Sequence, residues 1–480
     1  MFPFVKELQG LFRLRPAGNE ARRGASIRFD SLGSVSDEAR YSYESIDPYR
    51  EIVVHGRQIE THVHHESGTV TRVTEENPWD RFDAVAREFR ALSAPAIRAD
   101  SHTTLPPLPS VAGYWGYGLT PFAIPVERVQ PDPLGLPDAH LAFFDTIVVR
   151  IREENRTLLV STGRPETDPA RRARRAELRL RELESQVVQD TGEAGSRTSP
   201  SQSFEWTPEP RAPYQRAIRA ILSHIREGDI YQANHTELFR MPTDEDARTH
   251  YAALRNTNPA HYSALFDTGD AAVISSSPEL FLRVTGRDVV SAPIKGTRPR
   301  GADPESDERL QRDLRASEKD LAEHTMIVDL VRNDLGKSCD AGSVHVEPFL
   351  NVESHPTVHH LVSYVRGRLP ESATWATALR DLFPGGSVTG TPKRRAVQII
   401  DEQETTGRGA FYGCLGFADE DGRGVWNLLI RSAVWKPGEL AFRVGGGIVA
   451  DSTAEGEWEE LAWKGSALHR AFAARSAVKG

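Results

Sequence analysis

Residues 318–336 read EKDLAEHTMIVDLVRNDLG, a stretch with the length and residue content of a helix. Within it Asp320 and Glu323 stand three apart, so they share a face one turn from each other. Near the far end of the chain, EGEWEELAWKG (455–465) repeats the device, with Glu457 and Glu460 three apart and Lys464 a turn further on. Two helices that each offer paired carboxylates could grip a hard cation such as Mg2+, which takes one or two protein carboxylates and leaves room for water and substrate oxygens. Paired acids are also common on solvated helix faces, and the spacing alone leaves both readings open.

The segments between these two helices carry further candidates. DIYQANHTELF (229–239) alternates as a strand and puts Gln232 and Asn234 on the same face as Ile230 and Leu238. Amides on an otherwise apolar face suit a lined cavity or a hydrogen-bonded core. VISSSPELFLRV (273–284) sets Glu279 between two apolar stretches, where it is either a helix-start charge or, if buried, a general acid with a raised pKa. VVSAPIKGTRPRG (289–301) reads as a strand running into a turn, with Lys295 at the strand end before Gly296. A lysine there is a solvated surface group or a desolvated nucleophile. FPGGSVTGTPKRRA (383–396) and FRVGGGIVADS (442–452), the latter with Gly445, Gly446 and Gly447, read as glycine-rich turns with backbone N–H groups suited to an anion. Neither follows the phosphate-loop or dinucleotide patterns, so a carboxylate ligand fits better than a nucleotide, with Arg431 in NLLIRSAVW as a fork for it.

Composition bounds the rest. A chain of 480 residues with 59 basic and 68 acidic side chains has a net charge of −9, which argues against nucleic acid as the main partner. Two cysteines, Cys339 and Cys414, cannot staple a chain of this length and fit a reducing compartment. No apolar run is long enough for a membrane span, and Lys6, Glu7, Arg13 and Arg15 interrupt any signal-peptide core, so a cytoplasmic location is expected. Residues 1–165 read as a mixed front part that includes an apolar run, HLAFFDTIVVRI (140–151), expected as one buried strand. Residues 166–212 hold a helix capped by Asp168 and started by Pro169, then a flexible linker from Gln189 to about Pro213. The helix face bearing Arg171, Arg172, Arg174, Arg175 and Arg179 is expected to be solvated. Residues 213–480 form the catalytic part and open with a helix ended by Gly228.

The succession YQAN, SPEL, PIKGTRPRG, KDLAEHTMIVDLVRNDLG, HHLVS, PGGSVTGTPKRRA, LLIRSA, GGGIVADS and EWEELAWK resembles the chorismate-utilising enzymes over residues 213–470. The front part resembles them more loosely, through RFDS (28–31), RYSYESIDP (40–48) and GYWGYG (113–118). The resemblance implies an α+β fold, a four-layer α/β/β/α sandwich of two largely antiparallel sheets with outer helices, the front and back parts interleaved. It implies that Glu323 and Glu460 hold Mg2+ against the ring carboxylate of chorismate, with Asp320 and Glu457 as outer partners. Glu279 matches the general acid for the departing C4 hydroxyl, and His360 the histidine near that hydroxyl. Gln232, Gly296, Thr297, Arg431, the Gly445–Gly447 run and Lys464 match substrate-binding positions. Phe411 stands where many members carry a carboxylate-touching tyrosine, and Tyr412 is the neighbour that could replace it.

Two positions bear on the reaction that the resemblance implies. Members that add water carry a lysine where this chain has Gln232, which favours ammonia as nucleophile. Members that make anthranilate read PIAGT where this chain reads PIKGT, and Lys295 matches the nucleophilic lysine of members that aminate C4. The expected activity is therefore conversion of chorismate and ammonia to 4-amino-4-deoxychorismate, the precursor of 4-aminobenzoate and a route to folate, through a Lys295 adduct; a 2-amino product is the alternative. A glutamine amidotransferase subunit is the implied ammonia source, and a separate lyase the expected next enzyme. GCLGF around Cys414 echoes a glutaminase elbow only superficially. Whether tryptophan binds the front part is left open by the looser match there.

Overall fold

The apolar run at 140–151 is two strands, not one, and the break between them displays the plan of the molecule. Ala139–Phe143 pairs with Arg50–His55 and Val111–Trp115, whereas Thr146–Ile151 pairs with Tyr41–Ser45 and Arg156–Ser161 in a different sheet. The chain steps between sheets at Phe144–Asp145, where the buried Asp145 receives Arg175 and Arg179 at 3.1 and 3.3 Å. Both flanks are buried on both faces, which is why no alternation marked the crossing.

The computed structural model describes residues 4–15, 24–30, 40–65, 67–92, 105–190, 208, 210–355 and 357–473. Its two large sheets have eleven strands each. The first runs in the order Phe4–Gln9, Arg156–Ser161, Thr146–Ile151, Tyr41–Ser45, Ser26–Asp30, Tyr262–Asp267, Ala272–Ser277, Ser432–Lys436, Glu439–Ile448, Gln232–Pro242 and Gly390–Thr391. The second runs from His345–Val346 through Val365–Arg368, Asp288–Ala292, Leu280–Thr285, Gly424–Leu428 and Cys414–Ala418 to Val111–Trp115, Ala139–Phe143, Arg50–His55, Gln58–His65 and Gly68–Glu75. Pairing is antiparallel throughout, and each sheet draws strands from both the front and the back of the sequence.

The apolar faces of the two sheets meet in one core, with Ile147, Val149, Phe266 and Val434 on one side and Leu141, Trp115, Leu415 and Trp426 on the other. Trp115, Trp375 and Trp426 contact one another within it at centroid separations of 5.4–6.1 Å. Helices Pro78–Leu92 and Trp375–Leu382 cover the second sheet through Phe82, Phe89 and Leu382. Helices Arg211–Glu227, Ala247–Thr257, Lys393–Gln403 and Ala454–Ala473 cover the first through Ile218, Leu254, Ile399 and Trp458. The result is the four-layer α/β/β/α sandwich.

Local signals explain several boundaries. Asp168 accepts from Arg171 N and Pro169 opens the helix Pro169–Gln186. Gly228, at φ +82°, ends the helix Arg211–Glu227. The arginine-rich face departs from expectation: Arg171 and Arg174 are exposed. Arg172 instead donates to Glu420 and to Thr162 O, while Arg175 and Arg179 reach Asp145. Those arginines clamp the helix to the sheet ends. Most of the stretch expected as a linker, 191–207, lies outside the described residues.

One buried charge cluster ties the front part to the back. Asp30 is 1% exposed and takes Arg28, Arg150, Arg255 and the Tyr251 hydroxyl at 2.7–3.3 Å. Burial alone would raise its carboxyl, but the surrounding guanidinium groups hold it well below the carboxylate range. Removing the charge leaves buried cations uncompensated, so Asp30→Asn is expected to cost about 3–5 kcal/mol, read as a lower denaturant midpoint at pH 7. Because the native pKa is depressed, this stabilisation is present above the unfolded carboxyl's pKa and fades as pH falls below it. The gap between wild type and variant is expected to narrow at acid pH.

Candidate active site

Seven elements surround the acidic pairs, labelled here in chain order: helix α1 (Arg211–Glu227), strand β1 (Gln232–Pro242), strand β2 (Ile294–Pro299), helix α2 (Glu318–Gly336), strand β3 (Val358–Val362), strand β4 (Glu439–Ile448) and helix α3 (Ala454–Ala473). PIKGTRPRG, expected as a turn, contains β2, which pairs with β3 so that Thr297 stands opposite His360. Lys295 therefore lies within a strand rather than at the end of one. The register slips between Ile294 and Thr297, where Gly296 sits at φ +80°. A Cβ there would come within 2.9 Å of Leu314 and 3.2 Å of Asp320. Glycine is required on both counts.

Ser317 caps α2 by accepting from Asp320 N at 3.3 Å and starts the turn that aims Asp320 and Glu323 at β2. Arg298 Nη2 donates to Asp320 at 2.9 Å, and Lys295 Nζ donates to Glu323 Oε1 at 2.7 Å. Burial would lower the Lys295 pKa, but the Glu323 carboxylate outweighs it and holds the ammonium above its ordinary value. Lys295 is thus a paired cation, neither a solvated surface group nor a bare desolvated amine. On α3, Lys464 pairs with Glu460 at 2.6 Å and donates to Gly445 O at 3.2 Å. Burial raises Glu457, whose Oε1 accepts from Ser452 at 2.6 Å, whereas Lys464 keeps Glu460 low against the same burial.

The two acidic helices meet over three glycines. FRVGGGIVADS, expected as a turn, is mostly β4, paired with β1 over ten residues, so its glycines lie mid-strand. Gly446 and Gly447 admit side chains, whereas a Cβ on Gly445 would collide with His235 O of the neighbouring strand. A Cβ on Gly446 would lie 3.0 Å from Glu457 Oε2 and 3.6 Å from Glu460 Oε1. One on Gly447 would lie 2.7 Å from Gln232 Nε2, 2.9 Å from Glu323 Oε1 and 3.3 Å from Lys295 Nζ. Gln232 is 1% exposed, and among the described residues neither of its amide atoms has a hydrogen-bond partner. Asn234, expected beside it, is instead engaged by Arg408 through its carbonyl at 2.8 Å.

Glu279 lies between strands Ala272–Ser277 and Leu280–Thr285, not at a helix start, and is 6% exposed. Burial pushes its pKa up to about 7 despite a 2.7 Å hydrogen bond from Ser387 and the positive charges of Lys295 and Arg431. Arg431 occupies the left-handed region at φ +50°, a strained position for a side-chain-bearing residue. Burial lowers its pKa, opposed by Glu279, and among the described residues no hydrogen bond or ion pair takes its guanidinium. His360 is buried; its Nδ1 faces Thr297 Oγ1 at 3.0 Å, and Nε2 has no partner among the described residues. Burial, then Arg431, keeps this imidazole neutral.

Several site features went unread in the sequence. Ser387, which holds Glu279, lies in a stretch read only for its glycines. Under β1, Arg408 bonds Glu404 at 2.7 Å and Val388 O at 2.7 Å, and Tyr117 and Tyr412 stack on its guanidinium at 4.8 Å. Tyr412, the suggested stand-in for a carboxylate-touching tyrosine, is committed to that network, and Phe411 is buried in the core. Ser387 meets Glu279 across 108 residues of chain. Arg408 reaches Tyr117 and Val388 from distant segments, although its partners Glu404 and Tyr412 are each four residues away.

The donor chemistry suits a hard cation: Glu323 and Glu460 flank Gly446–Gly447, and each is balanced by a lysine. Among the described residues, the only three-ligand group with atoms within 4.8 Å is His224, Glu227 and Asp229 on the surface, where Arg395 already pairs with Asp229. Asp320, Glu323, Glu457 and Glu460 do not form such a group.

A two-sheet sandwich with acidic helices over a glycine strip has known counterparts. The family model for chorismate binding enzymes matches residues 38–470, and the chain belongs to that family. Anthranilate synthase component 1 of Thermus thermophilus is 39% identical over 81% of this chain and 82% of its own length. Aminodeoxychorismate synthase of Streptomyces pristinaespiralis is 36% identical over 86% of this chain, which spans 57% of that protein's length. The crystal structure of anthranilate synthase component I from Streptococcus pneumoniae superposes with a TM-score of 0.73 at 26% identity, covering 95% of this chain and 96% of that one. Among the described residues no helix is long and apolar enough to cross a membrane.

The glycine strip gives a direct test. Gly447→Ala puts a methyl within 2.9 Å of Glu323 and 2.7 Å of Gln232, and chorismate affinity measured by calorimetry is expected to fall at least about tenfold while the circular dichroism spectrum is unchanged. Wild-type affinity in that variant would show that the side chains need not approach the strand.

Proposed function

We propose that the protein is the chorismate-aminating subunit of an aminodeoxychorismate synthase, making 4-amino-4-deoxychorismate from chorismate and ammonia supplied by a glutamine amidotransferase partner. The observation that carries the reading is Lys295, half-buried in the acidic site, 2.7 Å from Glu323 and 3.3 Å from the Gly447 Cβ position. A lysine in that place can form a covalent adduct with the ring.

Replacing the C4 hydroxyl by an amine with the same stereochemistry is hard in a single displacement. In the proposed route the Lys295 amine bonds to C2 of the ring, both ring double bonds shift by one position, and the C4 hydroxyl leaves as water with a proton from Glu279. Ammonia then bonds to C4, both double bonds shift back, and the C2–N bond to Lys295 breaks. Two inversions give net retention, and one hard step becomes two easier ones. Lys295 acts as nucleophile only after losing a proton, and Glu323 Oε1 is the acceptor in contact with it. Glu279, with a pKa of about 7, holds its proton at neutral pH and can donate it. Arg431 offers a guanidinium fork for a substrate carboxylate, and His360 Nε2, buried and without a partner among the described residues, is available to the leaving hydroxyl. Glu323 and Glu460, supported by Asp320 and Glu457, would hold Mg2+, which when bound neutralises and anchors a substrate carboxylate.

The second reading is an aminating enzyme with a 2-amino product, favoured by the similar identity of relatives named anthranilate synthase component 1. Mass-spectrometric and chromatographic analysis of the product from chorismate, Mg2+ and an ammonium salt separates the two. The proposal expects 4-amino-4-deoxychorismate; anthranilate or 2-amino-2-deoxyisochorismate would overturn it.

Two variants probe the chemistry. Lys295→Ala is expected to lose most amination while Mg2+-dependent chorismate binding, followed by calorimetry, survives. Because Glu279 must be protonated to act, the rate is expected to fall as pH rises through about 7. Glu279→Gln is expected to lower the rate by roughly 10²–10⁴-fold and to abolish that limb of the profile. A wild-type pH profile in this variant would remove Glu279 from the acid role.

A further inference from the structure

Behind the glycine strip, on the face of β1 packed against α1 and α3, a second set of polar groups is buried. His235 is 0% exposed, and among the described residues neither ring nitrogen has a hydrogen-bond partner. The hydroxyl of Tyr214, on α1 and equally buried, has none either. The Tyr214 ring centroid lies 5.1 Å from that of His235 and 5.5 Å from that of Trp458 on α3. Glu237 lies two residues along the same face of β1, and its Oε1 is 3.9 Å from His235 Nε2, too far for a hydrogen bond. Gly446 is the register partner of His235, so this face carries no side chain opposite the imidazole.

Leaving such groups unpaired costs about 1–3 kcal/mol each, which makes their gathering at one place informative. The cluster has a definite chemistry. Burial holds His235 at a pKa of about 4, so the ring is neutral and presents an acceptor nitrogen. The Tyr214 oxygen is a second acceptor, and the Glu237 carboxylate a third and a potential negative charge. Glu457 and Glu460 put negative charge beside the Tyr214 hydroxyl, with Lys464 paired to Glu460, while Glu404, Arg408 and Arg443 act on His235 from the other face of the sheet. Three acceptors, one of them a carboxyl that burial raises to about 7, suit a small ligand rich in N–H donors.

We propose that His235, Tyr214 and Glu237 bind ammonium, the nitrogen source of the amination proposed above, and the inference rests on that reading. The site is one residue away from the reaction centre along β4: Gly446 faces this cluster and Gly447 faces Lys295 and Gln232. Neither His235 nor Tyr214 has a part in the chorismate machinery, so their effects are separable from it.

The test combines thermal unfolding in ammonium chloride against potassium chloride, at equal ionic strength, with steady-state kinetics in ammonium. Ammonium is expected to raise the Tm of the wild-type protein more than potassium does, and His235→Leu is expected to abolish the difference. In His235→Leu and Tyr214→Phe the KM for ammonium is expected to rise about tenfold, with kcat and the KM for chorismate within about twofold of wild type. An unchanged KM for ammonium in both variants would overturn the proposal and leave the cluster to buried water. Equal stabilisation by potassium would reassign it as a general monovalent-cation site. Should His235→Leu not fold, Tyr214→Phe, which removes one oxygen, decides the matter. If the wild-type protein makes no aminated product, the reaction reading fails, while loss of ammonium-specific stabilisation in the variants would still support the site.

Discussion

The close passage of one strand beneath two acidic helices is the constraint on which the rest of the structure depends. Glu323, Glu457, Glu460, Lys295 and Gln232 all come within 3.6 Å of where side chains on Gly446 and Gly447 would begin. Only a strand without side chains lets carboxylates from α2 and α3 converge from separate parts of the chain. The strand is in turn held in place by its ten-residue pairing with β1. That makes the position of the reactive groups a property of the sheet rather than of a loop, and the elements that supply them are among the more rigid kinds.

Charge balance follows from this geometry. Each carboxylate proposed to face the cation has a lysine on it, Lys295 on Glu323 and Lys464 on Glu460, so the buried acids are not left uncompensated. The opposite side of the site has a neutral imidazole at His360, a carboxyl raised to about 7 at Glu279, and Arg431 with no pairing partner among the described residues. A dianionic ligand would meet Arg431 at one end and, at the other, the cation that Glu323 and Glu460 are proposed to hold, with the raised carboxyl of Glu279 as a proton donor. The two ends differ in kind, which orients the ligand as well as binding it.

Much of this was legible where the signal is local. The helix at 318–336, the Asp168 cap and the Gly228 stop depend on neighbours within a turn or two, and the structure has them as expected. The apolar run at 140–151 was misread as one strand because both of its halves are doubly buried, so nothing in the pattern marks the sheet change at Asp145. The triple glycine reads as a turn because glycine usually signals backbone freedom; here Gly446 and Gly447 answer a steric demand from Glu323, 124 residues earlier, and from Glu457 and Glu460 further along the chain. The arginine face of Pro169–Gln186 looked solvated because Asp145 and Glu420, which receive it, are distant in sequence. The order of motifs, by contrast, outweighed every single one of them, and it agrees with the family match over 38–470.

The central claim is that Lys295 bonds to the substrate ring, and intact-protein and peptide mass spectrometry after rapid quenching tests it most directly. Wild-type protein mixed with chorismate and Mg2+, with no ammonium present, should gain the mass of chorismate less one water on the peptide containing Lys295. Ammonium added before the quench should discharge that mass. An unmodified Lys295 peptide in protein that is turning over chorismate, or an adduct located elsewhere, would contradict the account.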